Sequence, residues 1–381
     1  MPKPPGERPT PHRGRRLLTT VCVALALLAP ATFTTVQYWN STASEATFTV
    51  AEQRGVAYLR PLTALIAVLA DNQSAAVAGH TVKTDEVRRA MSMVARADET
   101  DGRSLRVHDT WVNLQSDLSI LLGSPPSGLA AFSAYSAVVD QALFLAARVG
   151  DTSNLILDPA LDAYYLMDAA LLRLPKIMVE SGRMSDLNLM RLGGGNADLS
   201  RVLVARDHVS GDSTALQSGL SKSFGFTASP TFGPDLLSKV DAFRAAVGAL
   251  APSTALISQP LPTDQNAVSS GRTVLLQASM QLDIAVLEQL NGLLQVRLDA
   301  QQGGVRQVVR WWVVGLLAAL CAALSALLGL GRGIRQAVNR TGIRRHRRAS
   351  AAPEVLRGTR PGTGEDGAGR PRRKEGLGAS R

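Results

Sequence analysis

Between about residue 50 and residue 300, apolar residues recur at steps of three and four. Leu59, Leu62, Leu65, Ile66 and Leu69 share one helical face. Val87, Met91 and Val94, then Leu105, His108, Trp111, Leu114 and Leu118 past Gly102, mark a second, and Phe132, Tyr135, Val139, Leu143 and Val149 a third. The breaks fall where helix is hardest to hold, at Pro125-Pro126, Gly193-Gly194-Gly195 and the segment from Gly225 to Gly233, which leaves helices near 196–222 and 235–258. Pro61 lies inside the first helix and predicts a kink, because an interior proline costs about 3 kcal/mol. The last helix is expected to open after Pro260-Leu261-Pro262 with Thr263 or Asp264 as its cap. It should run through Val274, Met280, Ala285, Leu293 and Val296 into an apolar span without a break.

Two stretches are apolar all round. Leu17 to Val36 has twenty uncharged residues, and Trp311 to Gly331 has twenty-one, about 30 Å of helix and enough to cross a bilayer. The first fits either a retained anchor, with Tyr38 and Trp39 as its outer aromatic belt, or a signal peptide cleaved near Ala29-Pro30-Ala31. Behind the second come Arg332, Arg335, Arg340, Arg344, Arg345, Arg347 and Arg348, against only Arg306 and Arg310 ahead of it. The positive-inside rule therefore places both termini in the cytoplasm. The expected organisation is a basic N-terminus (1–16), a first span (17–39), an extracytoplasmic helical domain (40–305), a second span (306–331) and a basic, disordered tail (332–381) of a cell-membrane protein. The fold class is all-α, an elongated antiparallel bundle of one or two stacked modules between two transmembrane helices.

Composition agrees, since aromatics are 4% and the 45% hydrophobic content is mostly Ala, Leu and Val. The net charge of +10 would suggest a nucleic-acid partner if it covered one folded face. Instead the first sixteen residues carry +4 and the last fifty +10, leaving −4 for everything between. The basic ends fit anionic membrane lipid, not nucleic acid. Cys22 and Cys321 each sit inside an apolar span, where small apolar filling explains them better than a disulfide or a metal site.

The most particular stretch is Asn154 to Pro175, NLILDPALDAYYLMDAALLRLP. Asp158 followed by Pro159 reads as an N-cap and first-turn pair, so a helix is expected from Pro159 to near Gly193. Asp162 suits the positive helix start. Tyr164, Tyr165 and Asp168 put polar groups on a face otherwise aliphatic, and Pro175 closes the pattern. Asp168 needs a partner if buried, and Arg173, Arg183, Arg148 and Arg54 are the available cations. The pair is either structural or a small-molecule ligand site formed by Tyr164, Tyr165, Asp168, Arg173 and Arg54.

The run from Ser153 to Asp168, with Arg173-Leu174-Pro175 after it, resembles the periplasmic helical sensor regions of bacterial methyl-accepting chemotaxis receptors and related transmembrane histidine kinases and diguanylate cyclases. Glu52-Gln53-Arg54-Gly55, with Tyr58-Leu59 and Pro61-Leu62, is similar to the start of the same regions, and the likeness covers roughly residues 45–300. It implies a helical sensor and names no ligand. The chain departs from the family after the second span, where no HAMP-like helix pair, kinase, methyl-accepting hairpin or GG[DE]EF-type stretch follows. The expected role is a receptor-like sensor or accessory protein, a homodimer or not, that signals through a separate membrane-bound kinase or other partner. The alternative is a structural or oligomerising envelope protein without a ligand. No Ser/His/Asp constellation, Walker loop, H-E-x-x-H or dinucleotide glycine pattern occurs, and the five histidines are scattered, so neither enzyme, cofactor nor metal is expected.

Overall fold

The computed structural model describes residues 12–158, 160–193, 199–226, 234–251 and 264–346, with side-chain surroundings mostly between 32 and 318. The protein is all-helical, and no strand occurs among the described residues. In chain order the helices are α1 (His12–Val77), α2 (Thr84–Ala97), α3 (His108–Gly123), α4 (Gly128–Thr152), α5 (Leu161–Met167), α6 (Leu174–Leu192), α7 (Leu199–Phe226), α8 (Pro234–Leu250) and α9 (Gln265–His346). Contacts divide the chain into two units, Met1–Arg310 and Trp311–Arg381.

Within the first unit α1 packs against α2, α4 and α6, α3 lies on α4, and α7 covers α5 and α6. On α1 and α4 the faces in contact are those the spacing marks out, whereas on α9 the expected Val274 and Val296 are exposed and Leu275, Leu282, Val286 and Leu290 are buried instead. Tyr58, Leu59, Leu62, Leu65, Ile66 and Leu69 of α1 are buried, as are Phe132, Tyr135, Val139 and Val149 of α4. Each such Leu, Ile or Phe contributes roughly 1.5–3 kcal/mol through water release. Gly182 of α6 lies against α1, where a Cβ would sit in ordinary van der Waals contact 3.9 Å from the Ala70 carbonyl and from Ser74 Oγ.

Local differences from the expected elements have identifiable causes. Helix α1 is unbroken through Pro61, so no interruption accompanies that proline. The second expected helix is two, separated by a π-helical turn, Asp98–Gly102, and a turn in which Arg106 takes a positive φ of 55°. Helix α5 starts at Leu161, not Pro159, and Pro159 lies outside the described residues. A second π-helical turn, Asp168–Arg173, divides α5 from α6, and Pro175 sits directly after it as the second residue of α6. At α9 the Asp264 carboxylate accepts the Asn266 N–H at 3.1 Å, as a cap should.

Helices α1 and α9 cover the two uncharged stretches, whose side-chain surroundings lie largely outside the description. Among the described residues one helix, α4, is long and apolar enough to cross a membrane. Its buried face, from Ala131 through Leu145 to Val149, packs within the first unit, and that burial accounts for its apolar composition.

Candidate functional site

The stretch following α4 turns sharply. Asn154 adopts the left-handed conformation at φ 66°, Leu155–Leu157 form one 3-10 turn, and Asp158 is extended, with φ −61° and ψ 119°. The Asp158 carboxylate divides its two oxygens. One accepts the Ala160 N–H at 2.9 Å, closing the turn ahead of α5, and the other accepts a hydrogen bond from Arg297 of α9 at 2.7 Å. Asp162 stands 3.8 Å from the other terminal nitrogen of the same guanidinium and also accepts the Ala163 N–H at 2.8 Å. The expected N-cap role is not what Asp158 performs: the N-cap position of α5 is Ala160, with no side-chain cap bond, and Asp158 closes the turn before it. It also joins the motif to the last helix, across 139 residues of sequence.

The first helix meets the motif at the same place. A Cβ on Gly55 would fall 2.3 Å from Ser153 Oγ and 2.9 Å from Leu155 Cδ1, so only glycine permits this approach. One turn earlier, Glu52 is fully buried, and neither carboxyl oxygen receives a donor as an ionised group would require. Its polar neighbour is the Asp158 carboxylate. Burial, and then the negative charge of Asp158, raise the Glu52 carboxyl from its ordinary 4.5 to about 8, with Arg297 opposing the shift. The two segments that the sequence marks separately, Glu52 to Gly55 and Ser153 to Asp158, are thus in contact.

More charged groups line the path of α9 along α1. Arg272 donates to Asp71 at 2.8 Å. Asp283 is buried opposite Thr63 and Arg60, and burial lifts its carboxyl to about 7. With Glu52 near Arg297, partners on α1 rise in number as those on α9 fall, so these segments run in opposite directions. Asp186 of α6 is buried at the Asp71 end, accepts from Gln73 at 3.0 Å, and is raised by burial to about 6.

Of the five residues expected to contact a ligand, four follow one another along α5 and the adjoining π-helical turn. Asp168 pairs with Arg173 at 3.2 Å, a partner that the i+5 geometry of that turn supplies. Arg173 also donates to Asp212 at 2.7 Å, and Lys176 lies 2.9 Å from the other oxygen of Asp212. Tyr165 is half-buried, with the exposed Tyr164 edge-on to it at 5.4 Å and the Lys222 ammonium 5.5 Å above its ring. Arg54 is not part of this group. It is half exposed and sits 3.6 Å from Asp101. A groove of about 420 Å³ opens elsewhere, between α4, α6 and α7, among Phe132, Asp140, Glu180, Arg183, Arg201 and His208. None of the five lines it.

His108 belongs to a separate polar core. Its Nδ1 lies 2.5 Å from the buried Asp98, whose other oxygen accepts from the Tyr58 hydroxyl at 3.1 Å, and burial drives the Tyr58 phenol upward. Gly102 is required here, because a Cβ would meet the Asp98 carboxylate at 1.9 Å. Among the described residues no group of three or more His, Cys, Asp or Glu is arranged to hold a metal ion.

What sequence reading missed is Arg297 as the partner of Asp158 and Glu52 as the buried acid beside it. A signal for Glu52 was present: it falls on the same helical face as Leu59, seven residues on, in a row otherwise apolar. Compared with known proteins, the chain matches no protein family, no curated protein and no solved structure.

Proposed function

We propose that this protein is a cell-membrane receptor-like sensor. Its extracytoplasmic helical bundle is held by two transmembrane helices, and it signals through a separate membrane-bound partner, a kinase or another output protein. The observation that carries the reading is the meeting of α1, the Asp158 turn and α9 at one buried cluster. A change there acts at once on both helices whose sequences lead into the apolar stretches 17–36 and 311–331. The charge excess after residue 331 supports a cytoplasmic C-terminus, and the resemblance of residues 153–168 and 52–62 to chemoreceptor sensor regions supports the role.

The experiment is cysteine accessibility in a Cys22→Ser/Cys321→Ser background. Ser127→Cys should react with an impermeant reagent from outside only and Ser350→Cys from inside only. The reverse pattern contradicts the topology and with it the receptor reading.

A second reading, an oligomerising envelope protein, draws on Ile120, Leu129 and Phe144, large apolar side chains exposed on α3 and α4. Analytical ultracentrifugation of the full chain in detergent separates the two. A dimer lost on Ile120→Lys/Phe144→Lys, together with unchanged partner signalling, favours the structural role.

A further inference from the structure

We propose that Glu52 and Asp158 form a proton-binding site between the first and last helices of the domain, and that the stimulus this receptor reads is extracytoplasmic pH. The proposal rests on the receptor reading above and names its ligand.

The geometry requires a hydrogen that no neighbouring residue supplies. Glu52 has no solvent exposure, and neither of its oxygens is reached by a donor. The group it faces, Asp158, is itself an acceptor and is already engaged by the Ala160 N–H and by Arg297. Two ionised carboxylates cannot hydrogen-bond to each other, and burying them together leaves charge uncompensated. One proton taken from solvent resolves this. It binds a Glu52 oxygen, and the resulting O–H donates to Asp158.

The charged groups facing this pair are few. Asp158 comes from the turn before α5, Arg297 from α9, and Asp162, on α5, stands behind the same guanidinium. Arg54, on the same helix as Glu52, is turned to Asp101. Three carboxyls therefore share one guanidinium. With Glu52 protonated the cluster carries one excess negative charge, and with Glu52 ionised it carries two. The second charge arises inside the contact that fastens α9 to the motif, next to the Asp158 oxygen that holds Arg297. Ionisation weakens that contact and protonation tightens it. A group titrating near 8 responds within the range an extracytoplasmic domain meets.

The test uses the full chain in lipid nanodiscs, labelled with ¹³C at glutamate carboxyls so that Asp186 and Asp283 are silent. One glutamate resonance should titrate with a midpoint near pH 8 and be missing from Glu52→Gln. In parallel, spin labels at Ala57→Cys and Gln295→Cys, both exposed sites, in the Cys22→Ser/Cys321→Ser background report the spacing of α1 and α9. The distance should lengthen between pH 6 and pH 9 and stay at its low-pH value in Glu52→Gln. Glutamates that all titrate below pH 6, or a distance that moves equally in Glu52→Gln, overturn the proposal. Should Glu52→Gln fail to fold, the titration of the unmutated chain decides alone. Failure here leaves the cysteine-labelling test of topology standing. Failed topology, with the glutamate titrating near 8, removes the receptor and keeps the proton site.

Discussion

Two clusters of carboxylates and cations, centred on Asp158 and Asp168, lie ten residues apart in sequence and are built differently. Around Asp168, two carboxylates (Asp168 and Asp212) meet two cations (Arg173 and Lys176), and both cations are partly exposed to water. Around Asp158, three carboxyls (Glu52, Asp158 and Asp162) meet one guanidinium, and Glu52 and Asp158 are buried. The first is balanced and hydrated, so losing one member leaves the others with partners or solvent. The second has excess acid, two of its three carboxyls are buried, and its one guanidinium is shared among them, so its charge state should depend on pH and its stability on Arg297. Desolvation and stoichiometry, not residue identity, separate a structural ion network from a responsive one.

The comparison is most strongly tested by Arg297→Ala. It leaves Asp158 and Asp162 facing Glu52 without a cation and should destabilise the domain by about 3–5 kcal/mol, read from denaturant unfolding of the full chain in detergent. A loss under about 1 kcal/mol would make the two clusters alike.

The pH dependence is next. Glu52 binds its proton more tightly in the folded chain than in the unfolded one, where its carboxyl has the ordinary value of 4.5. Between that value and about 8 the folded state carries the additional proton, so stability is fully present at the acid end and falls as pH rises through the window. Asp186 and Asp283, raised to about 6 and 7, add to the fall over the lower part of it. The expected loss from pH 5.5 to 8.5 is on the order of a few kcal/mol. Glu52→Gln should flatten the portion above pH 7, and stability that rises with pH over this range would contradict the assignment.

Gly55→Ala puts a methyl group 2.3 Å from Ser153 Oγ and should cost about 1–3 kcal/mol, while Gly225→Ala, where nothing lies within 4 Å, should be tolerated. Smallest is Asp168→Asn. A fully buried pair would lose about 3 kcal/mol, but Arg173 keeps Asp212 and both groups reach solvent, so about 1 kcal/mol or less is expected. A loss as large as that of Arg297→Ala would place Asp168 in the same class as Asp158.

Most helix positions were legible because burial imposes a period of three and four, and the faces of α1 and, apart from the half-buried Leu143, of α4 follow it. The cap at Asp264 and the start of α4 after Pro125-Pro126 were legible from local chemistry. The π-helical turns were not, since inserting one residue into a turn leaves no mark in composition, yet Asp168–Arg173 is what brings that pair together. Proximity within the motif suggested Arg173 for Asp168, and the two do pair, whereas Arg54, drawn from the first-helix segment, faces Asp101 instead. The partner of Asp158 was out of reach for another reason. Arg297 lies 139 residues away, and only the packing of α9 against the motif selects it from the other arginines. Glu52 was visible as part of a motif but not as a buried acid, because burial on a helical face next to exposed Arg54 is decided by what packs against it.

In this structure the Asp158 turn fastens the last helix through Arg297. A double-mutant cycle between Asp158→Asn and Arg297→Gln in the full chain measures it most directly, by unfolding free energy at pH 7. A coupling of about 2 kcal/mol or more is expected, since Arg297→Gln strands the buried Asp158 carboxylate. Losses that add to within about 0.5 kcal/mol would contradict it, and α9 would then be held by its apolar face alone.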